Sequence, residues 1–241
     1  MSVPNDSWMA MPLACFDLET TGPNPHTDRI VTACVATIDG RNVEVSNWLL
    51  NPGIDIPQGA TDVHGITSEE AYTHGDDYEP GVLSIWAALQ LAWADGRIVA
   101  IFNAAFDITM MLSEMERLGH QVMPTEIGPI VDPFVIDRHW DKRRKGKRKL
   151  ENVCAHYNVK LGDAHQADAD ALAAARLAWK LPRRYRKLAD FTAEQLQAEQ
   201  EVWHRARQLD FIEYLKREGK GVDDVSITWP IQSTNRTEAA A

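Results

Sequence analysis

The sequence predicts an α/β fold, and two observations carry that expectation. Between residues 13 and 50, three runs of apolar and β-branched residues are separated by turn signals, as in an antiparallel meander. From Val82 onward, apolar residues at helical spacing alternate with short continuous apolar runs, as expected where helices and buried strands take turns.

Leu13-Ala14-Cys15-Phe16 reads as a buried strand that leaves the sheet at Thr20-Thr21-Gly22. Arg29 to Ile38 forms the second strand, Asp39-Gly40 signals a two-residue hairpin, and Val43 to Leu50 returns. Asn51-Pro52-Gly53 ends the meander. Thr67 with Glu70 makes a capping box for a helix. Val82, Ile85, Trp86, Leu89 and Trp93 share one face of a helix that stops at Asp95-Gly96. Arg97 to Phe102 is a short strand, and Ile108, Met111, Leu112 and Met115 mark the next helix. Ile130-Val131 reads as a strand or a strand-to-helix transition at Asp132-Pro133. Leu150, Val153, Cys154 and Tyr157 define a short helix, and Gly162 to Asp170 opens an alanine-rich one that runs through Trp179.

Pro182 begins a compositional shift. Thr192 with Gln195 gives a second capping box, and a long helical pattern continues to Arg217 with Val202, Ala206, Leu209 and Ile212 as its apolar face. The organisation expected is a main domain over 1–181, a helical C-terminal extension over 182–230 and a disordered tail over 231–241.

Composition narrows the class. With 25 basic and 35 acidic residues among 241, the formal net charge is -10, which argues against a generic nucleic-acid coat protein. An acidic metal site in a nucleic-acid enzyme is compatible with it. Cys15, Cys34 and Cys154 each sit in an apolar segment and look like small core residues of a reducing compartment. Met1 to Met11 lacks a basic and an apolar leader region, and no run reaches the length of a membrane span, so a cytoplasmic protein without membrane contact is expected.

The candidate chemistry begins at Asp17 and Glu19, which emerge on one side of the first strand because side chains alternate faces. Two acids side by side repel and desolvate poorly unless a cation lies between them. Asp107 follows a strand at a helix start, where it could instead be a simple cap. Asp170, with Asp168, opens a later helix five residues after His165. Residues 141–149 hold seven basic side chains, Lys142, Arg143, Arg144, Lys145, Lys147, Arg148 and Lys149, which read either as a solvated loop or as a phosphate-contacting one.

Four anchors then occur in order: Phe-Asp-Leu-Glu-Thr-Thr-Gly at 16–22, Val-His-Gly-Ile-Thr at 63–67, Asn-Ala-Ala-Phe-Asp at 103–107, and His165-x4-Asp170. Over Leu13 to about Trp179 the chain resembles DEDDh-type 3′–5′ exonucleases of the DnaQ-like superfamily. The resemblance implies an RNase H-like fold, in which the antiparallel three-strand meander joins parallel strands in one mixed sheet flanked by helices. It implies that Asp17, Glu19, Asp107 and Asp170 are metal-binding carboxylates and that His165 is the general base. Thr20, Val63 and His64 match positions that hold the terminal nucleotide, with Thr21 beside them, and Asn103 and Phe106 match positions that shape the site. Phe102 stands where many relatives have His or Tyr, and Asp168 where they often have an apolar residue; the five-residue spacing favours Asp170 as the ligand.

An all-carboxylate set suits two Mg2+ ions, with Mn2+ as a substitute. The implied reaction is hydrolytic removal of nucleoside 5′-monophosphates from DNA 3′ ends, single-stranded or frayed, with His165 accepting the proton of the attacking water. RNA exonuclease activity of the oligoribonuclease or RNase T kind is the alternative reading, and a non-catalytic nucleic-acid-binding or polymerase-associated module the third. A DNA polymerase or repair partner is compatible with the resemblance.

Overall fold

The computed structural model describes residues 4–162 and 166–233. Strand β1 (Leu13–Thr20) pairs antiparallel with β2 (Ile30–Asp39), which pairs antiparallel with β3 (Asn42–Leu49). Pro12 and Leu13 then line β1 up for parallel pairing with β4 (Ile98–Ala100), and β4 pairs parallel with β5 (Ile130–Val131). The sheet order is β3-β2-β1-β4-β5, a mixed five-stranded sheet. The hairpin between β2 and β3 turns on Gly40-Arg41 rather than on Asp39-Gly40, because Asp39 still pairs with Asn42 and Gly40 takes the left-handed φ of 65°. Asp39 is thereby free to meet the Arg97 guanidinium at 2.9 Å.

Helices α1 (Gln58–His64), α2 (Ser68–His74) and α3 (Tyr78–Ala94) link β3 to β4. Val82, Ile85, Trp86 and Leu89 of α3 are buried, as the spacing predicts. In α2 the Thr67 hydroxyl accepts the Glu70 amide at 3.1 Å. Next come α4 (Ala104–Arg117), α5 (Pro133–Trp140), α6 (Leu150–Tyr157), α7 (Ala167–Arg184) and α8 (Ala193–Arg217). Helix α7 lies across β1 and β2, and its buried alanines at 167, 171, 174, 175 and 178 bring its axis close to the sheet. It continues past Trp179 to Arg184 with Pro182 inside its last turns, so the compositional shift at Pro182 is not a helix end.

The apolar face expected of α8 is not the one it buries. Val202 and Leu209 are 61% and 44% exposed, whereas Leu196, Gln200 and Trp203 are buried. The reason is the open edge of the sheet. Among the described residues, no strand lies on the outer side of β5, and α8 supplies the missing partners with amide side chains. Gln197 Oε1 accepts the Ile130 amide at 3.0 Å, Gln200 Nε2 donates to the Ile130 carbonyl at 2.9 Å, and Gln200 Oε1 accepts the Asp132 amide at 2.6 Å. The cap at Thr192 and Gln195 forms in both directions.

Both ends of the described chain are tied to the body. Trp8 donates its indole N–H to the Leu188 carbonyl at 2.6 Å. The tail expected to be free from residue 231 is held as far as Ser233, since the Gln232 amide donates to the Thr109 hydroxyl at 2.8 Å; residues 234–241 lie outside the described residues. Cys15, Cys34 and Cys154 are buried and unpaired. Among the described residues, no helix is long and apolar enough to cross a membrane.

Candidate metal centre and its surroundings

The parallel pairing of β1 with β4 stops at Cys15, so beyond that point the β4-facing edge of β1 is uncovered. The first turn of α4 fills the gap: Asp107 Oδ1 accepts the Leu18 amide at 3.1 Å. Asp107 is 3% exposed and is therefore more than a solvent-facing dipole partner. The helix cap itself is Asn103, at a left-handed φ of 69° that asparagine tolerates better than most residues. On the other side of β1 the β2 register shifts between Glu19 and Thr20, a bulge that breaks the regular ladder where the acids emerge.

Asp170, in the first turn of α7, completes the group. Asp17, Glu19 and Asp170 can each present a ligand atom with all three within 4.8 Å of one another. Asp168 instead lines a cavity of about 280 Å³ beside Glu19, His64 and Trp48. Among the described residues, no Lys, Arg or His forms an ion pair with Asp17, Glu19 or Asp107. Burial, then the charges of Asp107, Glu19 and Asp170, raises the Asp17 carboxyl well above its ordinary range. Burial also raises Asp107, against the lowering effect of its backbone hydrogen bonds. Glu19 is pushed from 4.5 to about 8 by burial and then by Asp170. Like charges gathered in a poorly solvated place are stabilised by an external cation, and an all-oxygen donor set of this kind fits Mg2+ or Mn2+.

The flanking residues divide. His64 is 8% exposed; its Nδ1 accepts the Ile66 amide at 3.1 Å, and burial lowers its pKa, so it is a neutral wall beside Glu19. Val63 is half exposed, and Asn103 and Phe106 are half-buried around the start of α4. Thr20 donates its hydroxyl to the Gly22 carbonyl at 2.7 Å. Thr21 does not line the site: it is 3% exposed, and its hydroxyl accepts the Arg29 amide at 3.0 Å, closing the loop between β1 and β2. His165 lies outside the described residues.

The basic run over 141–149 is not a uniform phosphate-binding loop. Asp137 is fully buried, and Arg144 and Arg148 both reach its carboxylate at 2.7 Å. Arg148 also donates to the Asp141 and Arg144 carbonyls at 2.6 and 2.9 Å, so these two arginines hold the loop shut from inside. Lys142 pairs with Asp210 of α8 at 3.2 Å. Arg143, Lys145, Lys147 and Lys149 are exposed.

Sequence reasoning missed Asp132. It is fully buried between two helix starts. Its Oδ1 accepts the Asn103, Phe134 and Val135 amides at 3.0, 2.9 and 3.3 Å, and its Oδ2 the Ala104 amide at 2.9 Å and the Trp229 indole at 3.1 Å. One carboxylate thus caps both α4 and α5 and fixes the helix that carries Asp107. The Asp-Pro step before a helical pattern was the available signal.

A mixed sheet of this order, with acids from β1, α4 and α7 converging beside the carboxyl end of β1, defines an RNase H-like domain built around a carboxylate cluster. The chain belongs to the exonuclease family, whose model matches residues 14–178. Among curated relatives, a PolC-type DNA polymerase III from Lacticaseibacillus paracasei is 27% identical over 178 residues, 73% of this chain and 12% of that protein. A PolC-type DNA polymerase III from Streptococcus thermophilus is 30% identical over 165 residues, 67% of this chain and 10% of that protein. Solved structures of E. coli Exonuclease I share the fold. The complex with a dT13 oligonucleotide matches with a TM-score of 0.60 at 20% identity, over 73% of this chain and 43% of that one. The complex with a dA16 oligonucleotide matches with a TM-score of 0.63 at 19% identity, over 84% and 45%. The chain therefore spans about a tenth of these polymerases and less than half of Exonuclease I.

Proposed function

We propose that the protein is a metal-dependent 3′–5′ exonuclease acting on DNA ends, with unpaired termini preferred. The observation that carries this reading is the convergence of Asp17, Glu19 and Asp170 within 4.8 Å, with Asp107 bound to the amide of the residue between the first two. These four acids would hold two Mg2+ ions, or Mn2+ in their place. When bound, such ions polarise the scissile phosphodiester and favour deprotonation of an attacking water.

The chain's own residues do the rest. The β1 bulge and the Asp107–Leu18 bond fix the carboxylates before substrate arrives, so little reorganisation is needed. His64 and Phe106 bound the space for the terminal nucleotide, and Thr20 marks the end of β1 beside it. His165, five residues before Asp170, is assigned the proton from water on the strength of that spacing and the family resemblance. DNA is favoured over RNA by the relatives and neighbours named above, as is association with a replication or repair polymerase. Exposed Arg143, Lys145, Lys147 and Lys149 remain as outer phosphate contacts.

The test is degradation of 5′-labelled DNA and RNA, single- and double-stranded, with Mg2+, Mn2+ or chelator. A one-nucleotide ladder on single-stranded DNA, lost with chelator, is expected. Cleavage of RNA alone would move the reading to an RNA exonuclease, and binding without cleavage to a non-catalytic module.

A further inference from the structure

A second cavity, of about 270 Å³, lies between α5 and α8 and is lined by Asn103, Phe134, Arg138, His204, Arg207 and Phe211 among others. It is cationic and aromatic in a chain of net charge -10. Among the described residues, neither Arg138 nor Arg207 forms an ion pair. The acids whose charges act on Arg138, Asp137 and Asp132, are engaged elsewhere, Asp137 by Arg144 and Arg148 and Asp132 by buried N–H groups. Burial, then the neighbouring charges of Arg207 and Arg148, lowers Arg138 to about 10. The His204 Nε2 atom is buried without a hydrogen-bond partner among the described residues. Among the described residues, the two guanidinium groups are thus like charges held together without an ion-pair partner.

Its position is informative. Asn103 and Phe134 follow the carboxyl ends of β4 and β5, the same edge of the parallel strands at which Asp17 and Glu19 leave β1. Ligands of open α/β sheets gather at that edge. Aromatic rings run along it. Phe102 and Phe134 lie 5.3 Å apart, Arg138 sits 4.6 Å over Phe134, and Arg207 lies 5.8 Å from the Phe211 ring. Guanidinium groups beside half-buried rings are the combination that grips unpaired nucleotides, by phosphate contact and base stacking.

We infer that the cleft between α5 and α8 is a subsite for a phosphate and base of a single strand, upstream of the terminal nucleotide held at the carboxylates. Helix α8 lies beyond the family match, which ends at residue 178, so Arg207 and Phe211 come from the extension while Phe134 and Arg138 come from the matched domain. The subsite also explains why α8 presents its charged edge here while its glutamines seal β5. The direction of the strand rests on the exonuclease reading; binding at the cleft does not.

The experiment uses the full chain with Ca2+ in place of Mg2+, and measures fluorescence anisotropy of a labelled twelve-nucleotide thymidine strand and of a labelled dinucleotide. Arg207→Ala and Phe211→Ala should each weaken the twelve-mer about tenfold while changing the dinucleotide less than about twofold. Arg207→Ala should also reduce the slope of log affinity against log salt by about 0.7, and Arg207→Lys should restore the slope. Arg205→Ala removes the same charge from the exposed side of α8 and should change the twelve-mer affinity less than about twofold. Thermal melts report folding of each variant. Wild-type-like twelve-mer binding by both variants, equal losses in Arg205→Ala and Arg207→Ala, parallel loss on the dinucleotide, or no strand binding by the wild type would each overturn the subsite. A wild type that binds the strand but releases no nucleotide with Mg2+ would defeat the exonuclease reading alone.

Discussion

Asp107 Oδ1 accepts the amide of Leu18 at 3.1 Å, and Leu18 is the residue that separates Asp17 from Glu19. A helix-borne acid is thereby locked to the strand that carries the other two. The bond satisfies a strand amide that lost its ladder partner where β4 ends, and it sets the spacing of the cluster. Asp107→Asn keeps an acceptor for Leu18 and removes the charge. It should fold, melt above the wild type in chelator at pH 8 and cleave at least about a hundredfold more slowly. Asp107→Ala leaves a buried amide unpaired and should lose about 1–3 kcal/mol. Thermal melts and a labelled-strand assay on both variants check the pair.

Stability without metal should depend on pH in one direction. A carboxyl raised in the folded state is bound to its proton more tightly there than in the unfolded chain. Its contribution is full below its ordinary pKa and is lost as pH rises through the folded value. For Glu19 that window runs from 4.5 to about 8, and Asp17 and Asp107, also raised, act in the same sense. In chelator the melting temperature should fall between pH 5 and pH 8, and added Mg2+ should raise it more at pH 8. A metal-free melting temperature that climbs over this range would contradict the electrostatic account.

Asp132 should be a structural linchpin rather than a ligand. Five N–H groups converge on its two oxygens, four of them at the starts of α4 and α5. Asp132→Ala orphans all of them and should cost more than about 3 kcal/mol in urea unfolding. Asp132→Asn keeps one good acceptor and should recover part of that loss. Because α4 carries Asp107, cleavage by Asp132→Asn should fall more than its stability does.

The basic loop should split by burial. Arg144→Ala or Arg148→Ala strips the buried Asp137 of a partner and should cost about 3 kcal/mol or more, read by denaturant unfolding. Lys145→Ala and Lys147→Ala, both exposed, should stay within about 0.5 kcal/mol of the wild type.

The strands were legible from local signatures, whereas the four acids were joined only by the order of their anchors and the family resemblance, since each alone also reads as a cap or a polar strand end. Alternation puts Asp17 and Glu19 on one side, and a strand followed by a helix start places Asp107 and its neighbours. Asp132 had a local mark in its Asp-Pro step, yet its five donors come from three separate segments. Arg144 and Arg148 look like surface charges until Asp137 is seen between them. The buried face of α8 was hidden for a similar reason. Its work is hydrogen bonding to β5 by Gln197 and Gln200, and hydrophobic spacing carries no record of that. A polar residue recruited by a bare sheet edge is chosen by the edge, which the helix sequence does not contain.

The central claim is that the carboxylates around Asp17 form one metal-dependent site for removing 3′ nucleotides. Its most direct test is the rate of nucleotide release from a 5′-labelled single strand by wild type and Asp17→Asn, over a Mn2+ titration. The account predicts a ladder of single-nucleotide steps from the wild type, dependent on Mn2+, and a variant at least about a thousandfold slower at every Mn2+ concentration. Equal rates from the two proteins, or a wild-type ladder that persists in chelator, would contradict it.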